Sequence, residues 1–123
     1  MLRLFLSYYS SSEMSGDIEI KDSTLSKRDW AVKDLPYIVY TKICVKLNIE
    51  RPLFDDFRMV AEKLGMDRDV IQWIAQGKNP TDIIFTSCHP GAKVGRLIEI
   101  LHEIERPEVA KVLEDWVAEP WWL

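Results

Sequence analysis

Apolar and polar residues follow one regime up to about residue 33 and another after it. In the first stretch, Ser10, Ser11, Ser12, Ser15, Ser23 and Ser26 are mixed with charges and no helical period persists. Such a segment reads as a tail or loosely ordered lead-in. Leu2, Leu4 and Leu6 alternate weakly, as in a strand, and Trp30 and Val32 are candidates to fold back onto the rest of the chain. From Leu35 the spacing turns helical: Leu35, Ile38, Val39, Ile43 and Leu47 recur mostly at steps of three and four, ending near Asn48 and Arg51-Pro52. Phe54, Phe57, Val60, Ala61 and Leu64 form a second stripe, stopped by Gly65.

Asp67 can cap a third helix carrying Val70, Ile71 and Ile74, with Gly77 behind it. Asn79-Pro80 places a capping side chain before a proline, and Asp82 in the first turn suits the helix dipole. This fourth helix carries Ile83, Ile84 and Cys88, and His89-Pro90-Gly91 breaks it. The fifth stripe is the clearest: Val94, Leu97, Ile98, Leu101, Ile104. Arg106-Pro107 opens a sixth, with Val109, Val112, Leu113, Trp116 and Val117 on one face, stopped by Pro120.

No stretch after residue 33 reads as a strand. No single stripe supports a helix on its own, so the stripes must face one another. Short connections force neighbours to pack closely and mostly antiparallel. The pattern therefore predicts an all-α, six-helix antiparallel bundle over residues 34–119. A non-core tail over 1–33 precedes it and an aromatic tail over 120–123 comes after it.

The chain has 123 residues, enough for one such domain, and 47% of them are apolar, enough for a core. The formal net charge of −4 argues against a general nucleic-acid binder, which would show a basic face. The 20 acidic and 16 basic residues are interspersed, so patches of both signs can orient a protein partner. No apolar run approaches the ~20 residues of a membrane span, and the apolar start is too short for a secretory signal. The two cysteines, Cys44 and Cys88, read as free thiols in a reducing, cytoplasmic compartment.

Candidate chemistry is sparse. His89 falls in a turn and His102 on a polar helix side, and no Cys/His spacing matches a zinc site. Cys88-His89 are sequential neighbours that point apart, not a nucleophile with its base. Gly91, Lys93 and Gly95 lack the phosphate-loop pattern, so Gly95 is expected to permit close packing instead. The expectation is no enzyme, no cofactor and no metal. Asp67-Arg68-Asp69, Glu62-Lys63 and Lys93 with Arg96 have two open readings, a solvated face or mixed-charge docking patches. Trp73, Trp116, Trp121 and Trp122 are many for so small a chain; Trp116 fits the core stripe, whereas Trp121-Trp122 either pack back or mark a binding surface.

The segment from Leu35 to Val117 resembles a death domain. The run Asp56-Phe57-Arg58-Met59-Val60-Ala61-Glu62-Lys63-Leu64-Gly65-Met66 is similar to the family's second helix. Asn79-Pro80-Thr81 resembles the start of its fourth helix. Pro90-Gly91-Ala92-Lys93-Val94-Gly95-Arg96-Leu97-Ile98-Glu99-Ile100-Leu101 looks like the fifth helix of death-domain adaptors. The end, Arg106 to Val117, is similar to the last helix. Phe57 and Cys88 stand where the family often has tryptophan.

The resemblance implies a cytoplasmic adaptor or scaffold that binds other death domains, self-association included, in innate-immune, NF-kappaB-type or apoptotic signalling. It involves neither nucleic acid nor membrane insertion. Arg58, Glu62, Lys63, Asp67, Arg68, Asp69, Lys93, Arg96 and Arg106 are the expected contact residues. Two alternatives stand beside it: a death-domain fragment of a larger receptor or kinase, and a helical nucleic-acid-binding domain.

Overall fold

The computed structural model describes residues 26–120. Six helices run in order: α1 Tyr37–Asn48, α2 Phe57–Lys63, α3 Arg68–Ile74, α4 Pro80–Ile83, α5 Val94–Glu103 and α6 Pro107–Ala118. A π-helical turn, Ile84–Cys88, continues α4 and is closed by the His89 N–H donating to the Ile84 carbonyl at 2.7 Å. Among the described residues there is no strand, only an isolated antiparallel bridge between Ala31 and Lys93. The all-helical bundle expected from the stripes is the architecture found. The expectations for residues 1–25 and for Trp121 and Trp122 lie outside the described residues.

The clearest stripe makes the central element. Val94, Leu97, Ile98 and Leu101 of α5, and Ile104 just after it, are all buried. Ile100 is buried too, because α5 packs on α2, on α6 and on the N-terminal lead-in. Val109, Ala110, Leu113 and Trp116 turn the inner face of α6 onto α5 and α1. The first stripe departs from expectation at one position. Ile43 and Leu47 are buried, but Ile38 is 67% exposed, since α1 carries apolar residues on opposite sides. Val70 and Trp73 likewise face outward from α3, while Ile71 and Ile74 face in.

Helix ends obey the sequence signals with one exception. Asn79 Oδ1 accepts from the Asp82 N–H at 3.1 Å at the start of α4. Asp56 does the same for α2, accepting from Arg58 N–H at 2.9 Å. Asp67 holds the capping position of α3, but its side chain makes no cap hydrogen bond. Two Schellman closures end α2 and α5. Met66 N–H donates to the Ala61 carbonyl and Gly65 N–H to Glu62, with Gly65 at φ 89°. Arg106 N–H donates to Leu101 and Glu105 N–H to His102, with Glu105 in the same left-handed region at φ 62°.

From Ser26 onward the end of the lead-in is folded against the bundle. Two 3₁₀ turns, Lys27–Asp29 and Val32–Asp34, lie against α5, α6 and the π turn. Val32 N–H donates to the Ala92 carbonyl and Val94 N–H to the Trp30 carbonyl, both at 2.9 Å. Val32 is fully buried and the Trp30 ring meets Trp116 edge-on at 5.3 Å. Both residues fold back, as expected. Lys27 is only 7% exposed: its Nζ donates to the carbonyls of Trp116 and Glu119 and sits 4.8 Å from the centre of the Trp116 ring. It thus caps the C-terminus of α6 with a cation, the sign the helix dipole favours. Gly95 leaves room for this strap, since a Cβ there would meet the Arg28 carbonyl oxygen at 3.3 Å. The packed body therefore reaches back to at least Lys27, ahead of the expected boundary at residue 34.

Candidate functional site

The charged residues expected to make contacts divide into groups that the fold treats differently. One group forms a patch across α2 and α5. Lys63 Nζ lies 3.8 Å from Glu103, and Arg96 Nη1 lies 3.3 Å from Glu99 and 3.8 Å from Glu103. All four side chains are substantially exposed, so water screens these pairs and they contribute little stability. They leave a surface of alternating sign on two rigid helices. Lys93, at the start of α5, is exposed as well.

A second group opens α3. Asp67, Arg68 and Asp69 are exposed, and none makes an ion pair among the described residues. Glu62 is exposed beside them and lines, with Arg68, a groove between the α1–α2 loop, α2 and α3.

Arg58 and Arg106 serve the fold. Arg58 is half-buried and grips Asp56 with two donors, Nε to Oδ1 at 3.0 Å and Nη2 to Oδ2 at 2.6 Å. Nη2 also donates to the Arg51 carbonyl, and the guanidinium stacks 4.4 Å from the centre of the Phe54 ring. Asp56 is itself fully buried. Burial alone would raise its pKa. The hydrogen bonds from the Arg58 side chain and from the backbone N–H groups of Arg51 and Arg58 outweigh that and hold the carboxyl below the usual range. Arg106 is 4% exposed: Nη1 donates to the Asp55 carbonyl oxygen and Nε to Glu108 at 2.6 Å. Among the expected contact residues, Arg106 is the one that the fold buries. Its guanidinium ties the start of α6 to the α1–α2 loop and is enclosed there.

Reactive groups do not converge. Burial, with the Asp82 carboxylate nearby, pushes the Cys44 thiol up to about 11, so it stays protonated at neutral pH. Its neighbour Tyr40 donates to Asp82 Oδ1 at 2.5 Å, and desolvation drives that phenol's pKa upward. His102 is exposed and meets only Glu114, at 2.9 Å. Among the described residues no group of His, Cys, Asp or Glu could hold a metal ion, and no helix is long and apolar enough to cross a membrane.

Sequence patterns flag neither the groove nor the exposure of Trp73. Phe54 borders the groove because its backbone is left-handed, φ 64°, which takes it out of the second stripe. No residue pattern signals a positive φ at a phenylalanine. Trp73 is 70% exposed, and only the helix register reveals that.

Comparison with known proteins bears on what such surfaces are for. The Death domain family model matches residues 41–117. The ectodysplasin-A receptor-associated adapter protein of Macaca fascicularis is 32% identical over 79 residues, which is 64% of this chain and 38% of that protein. The Homo sapiens protein of the same name is 32% identical over 79 residues, 64% of this chain and 37% of its own length. The chain thus spans well under half the length of these relatives. No solved structure matches it. With the family model covering α1 to α6 and the six-helix order in place, the chain belongs to the death-domain family.

Proposed function

We propose that this chain is a non-catalytic docking module that binds other death domains and gathers them into a cytoplasmic signalling complex. The observation that carries this reading is the mixed-sign patch of Lys63, Arg96, Glu99 and Glu103, held on two helices of the core. Exposed charges on a rigid scaffold add little to stability, but they orient and select a partner of complementary pattern. The exposed run Asp67-Arg68-Asp69 and Lys93 supply further contacts of the same kind. The relatives' name points to a receptor-associated adapter, so the partner class we favour is the death domain of a receptor or of its adapter. Innate-immune, NF-kappaB-type and apoptotic complexes are the signalling outputs to examine. The nucleic-acid reading is weaker, since the formal net charge is −4, and an electrophoretic shift at low salt would expose it.

Capture on the immobilised full chain from a set of purified death domains tests the proposal. At least one should bind, with affinity falling as salt rises. Arg96→Glu should cut that capture several-fold, because it replaces one of the patch's two cations by a third carboxylate. It should leave the helical circular-dichroism signal unchanged. A chain that captures none of them and is monomeric at every concentration would overturn the proposal.

A further inference from the structure

Helix α1 is apolar on two opposite sides, and the core uses only one of them. At about 100° per residue, Ile43, Leu47 and Cys44 point one way and are buried. Ile38, Lys42, Val45 and Ile49 fall within about 60° of one another on the other side. Ile38 is 67% exposed, Val45 57% and Ile49 62%. A helix of 12 residues thus carries an aliphatic stripe that nothing among the described residues covers.

The charges around this stripe have one sign. Between Leu35 and Ile49 the chain has no Asp or Glu, although 20 of its 123 residues are acidic. Lys42 sits inside the stripe, and Lys46 lies at its flank, about 40° further round. Neither forms an ion pair among the described residues. Lys78 is exposed and likewise unpaired there, and it stands beside the end of α1, where the Asn48 amide donates to Asn79 Oδ1 at 2.8 Å. Lys33 and Arg51, ahead of and behind α1, are already paired with Asp34 and Asp55. The next acid along the chain, Glu50, lies past the end of α1 and lines the groove beside α3.

A lysine inside an apolar stripe discriminates between partners. In the core of a protein–protein interface its ammonium would lose its water, and lysine is depleted at such sites. A nucleic-acid backbone would take the lysines and leave three aliphatic side chains in water. A bilayer surface satisfies both. The aliphatic groups enter the boundary between headgroups and acyl chains, and the lysine stem lies among them while its head reaches the phosphates. Tyr37, exposed in the first turn on the flank away from Lys46, is an amphipathic ring suited to the same depth. Among the described residues no helix is long and apolar enough to cross a membrane, so the contact is with the surface alone.

We propose that the outer face of α1, built from Ile38, Lys42, Val45 and Ile49, docks this chain onto an anionic phospholipid bilayer. The aliphatic side chains supply the burial, and Lys42 and Lys46 supply the attraction. The net charge of −4 does not prevent this, because acids further than about 10 Å from the headgroups are screened at ordinary salt. One short stripe gives weak and reversible binding.

Flotation of the full chain with vesicles of equal parts phosphatidylcholine and phosphatidylserine, and with vesicles of phosphatidylcholine alone, tests the proposal. The chain should float with the first and not with the second, and added salt should release it. Lys42→Gln should weaken the binding about fivefold, the loss expected for one cation near such a surface. Val45→Asp and Ile49→Asp should each abolish it, since a carboxylate on the stripe is repelled and resists desolvation. Thr41→Leu, at an exposed position beside the stripe, should tighten it several-fold. Circular dichroism checks the fold of each variant, and the gain from Thr41→Leu does not depend on the aspartate variants folding. Flotation with neither vesicle, equal flotation with both, or flotation indifferent to Val45→Asp and Thr41→Leu overturns the proposal. A chain that captures death domains and floats with neither vesicle overturns this inference alone.

Discussion

Asp56 shows what a single residue contributes here. Its carboxylate has no exposure and serves four donors: Nε and Nη2 of the Arg58 side chain, and the backbone N–H groups of Arg51 and Arg58. It caps α2, shapes the α1–α2 loop and fixes the guanidinium that stacks on Phe54. Asp56→Asn keeps the shape and removes the charge, which weakens the charge-assisted bonds and leaves Arg58 without its counter-ion. We expect a loss of about 2–4 kcal/mol in urea unfolding at neutral pH. The pH dependence is set by the direction of the shift. The folded-state pKa is depressed, so the stabilisation is complete above the ordinary aspartate pKa of about 3.9 and is lost as pH falls below it, through the folded value. The gap between wild type and Asp56→Asn should therefore close on acidification from about pH 5 downward. A gap constant across that range would show that the carboxylate's charge is not what matters. Asp56 is visible in the sequence as the acidic residue ahead of the second stripe. Its burial is not, because burial depends on Arg51 and Arg58 closing over it.

At the scale of elements, α2 and α5 end in the same closure with different residues at the left-handed position. Gly65 takes φ 89° and has open space where a Cβ would go, so Gly65→Ala tests backbone conformation alone. It should cost about 1–2 kcal/mol. Glu105 takes φ 62° with a Cβ, and Glu105→Gly should recover part of a similar strain, up to about 1 kcal/mol. Thermal or urea unfolding of the two variants should therefore shift in opposite directions, and shifts of the same sign would refute the account. Gly65 is legible as a stop signal; Glu105 is not, since glutamate gives no warning of a left-handed backbone. The mismatch in α1 has the same origin. A helix with apolar residues on two sides satisfies the three-and-four spacing either way, and only its neighbours α4 and α6 decide that Ile43 goes in and Ile38 stays out.

For the whole molecule, the strap makes the bundle a closed unit. Lys27 holds the end of α6, Val32 fills the core, and the backbone of Trp30 and Val32 pairs with the turn into α5. Strap and bundle should therefore unfold together. Lys27→Met keeps the stem and removes the cation from the α6 terminus, which should lower stability by about 1–3 kcal/mol. Far-UV circular dichroism and tryptophan fluorescence should still report one transition. A fluorescence change well ahead of helix loss would show that the strap detaches by itself. The surfaces left over include a mixed-sign patch on α2 and α5, and an exposed tryptophan and a groove on α3.

The sequence by itself determined the helical class, the positions of most helix ends and the inward faces of α5 and α6. Those features are local: a 3.6-residue period, a capping side chain, and a proline or glycine at a terminus act through neighbours along the chain. It also brought into view the charged residues from which the proposed docking surface is drawn. Only the tertiary structure decided which of those charges remain outside. Arg58 and Arg106 look in the sequence like Arg68 and Arg96, yet Arg106 is enclosed against the distant Asp55 carbonyl, Arg58 is held half-buried by Asp56 and the Arg51 carbonyl, and the other two face solvent. The strap and the groove are likewise set by contacts between residues far apart in the chain, such as Lys27 with Trp116 and Arg106 with Asp55. Such contacts carry no periodic signal, because each depends on where two whole helices have already been packed.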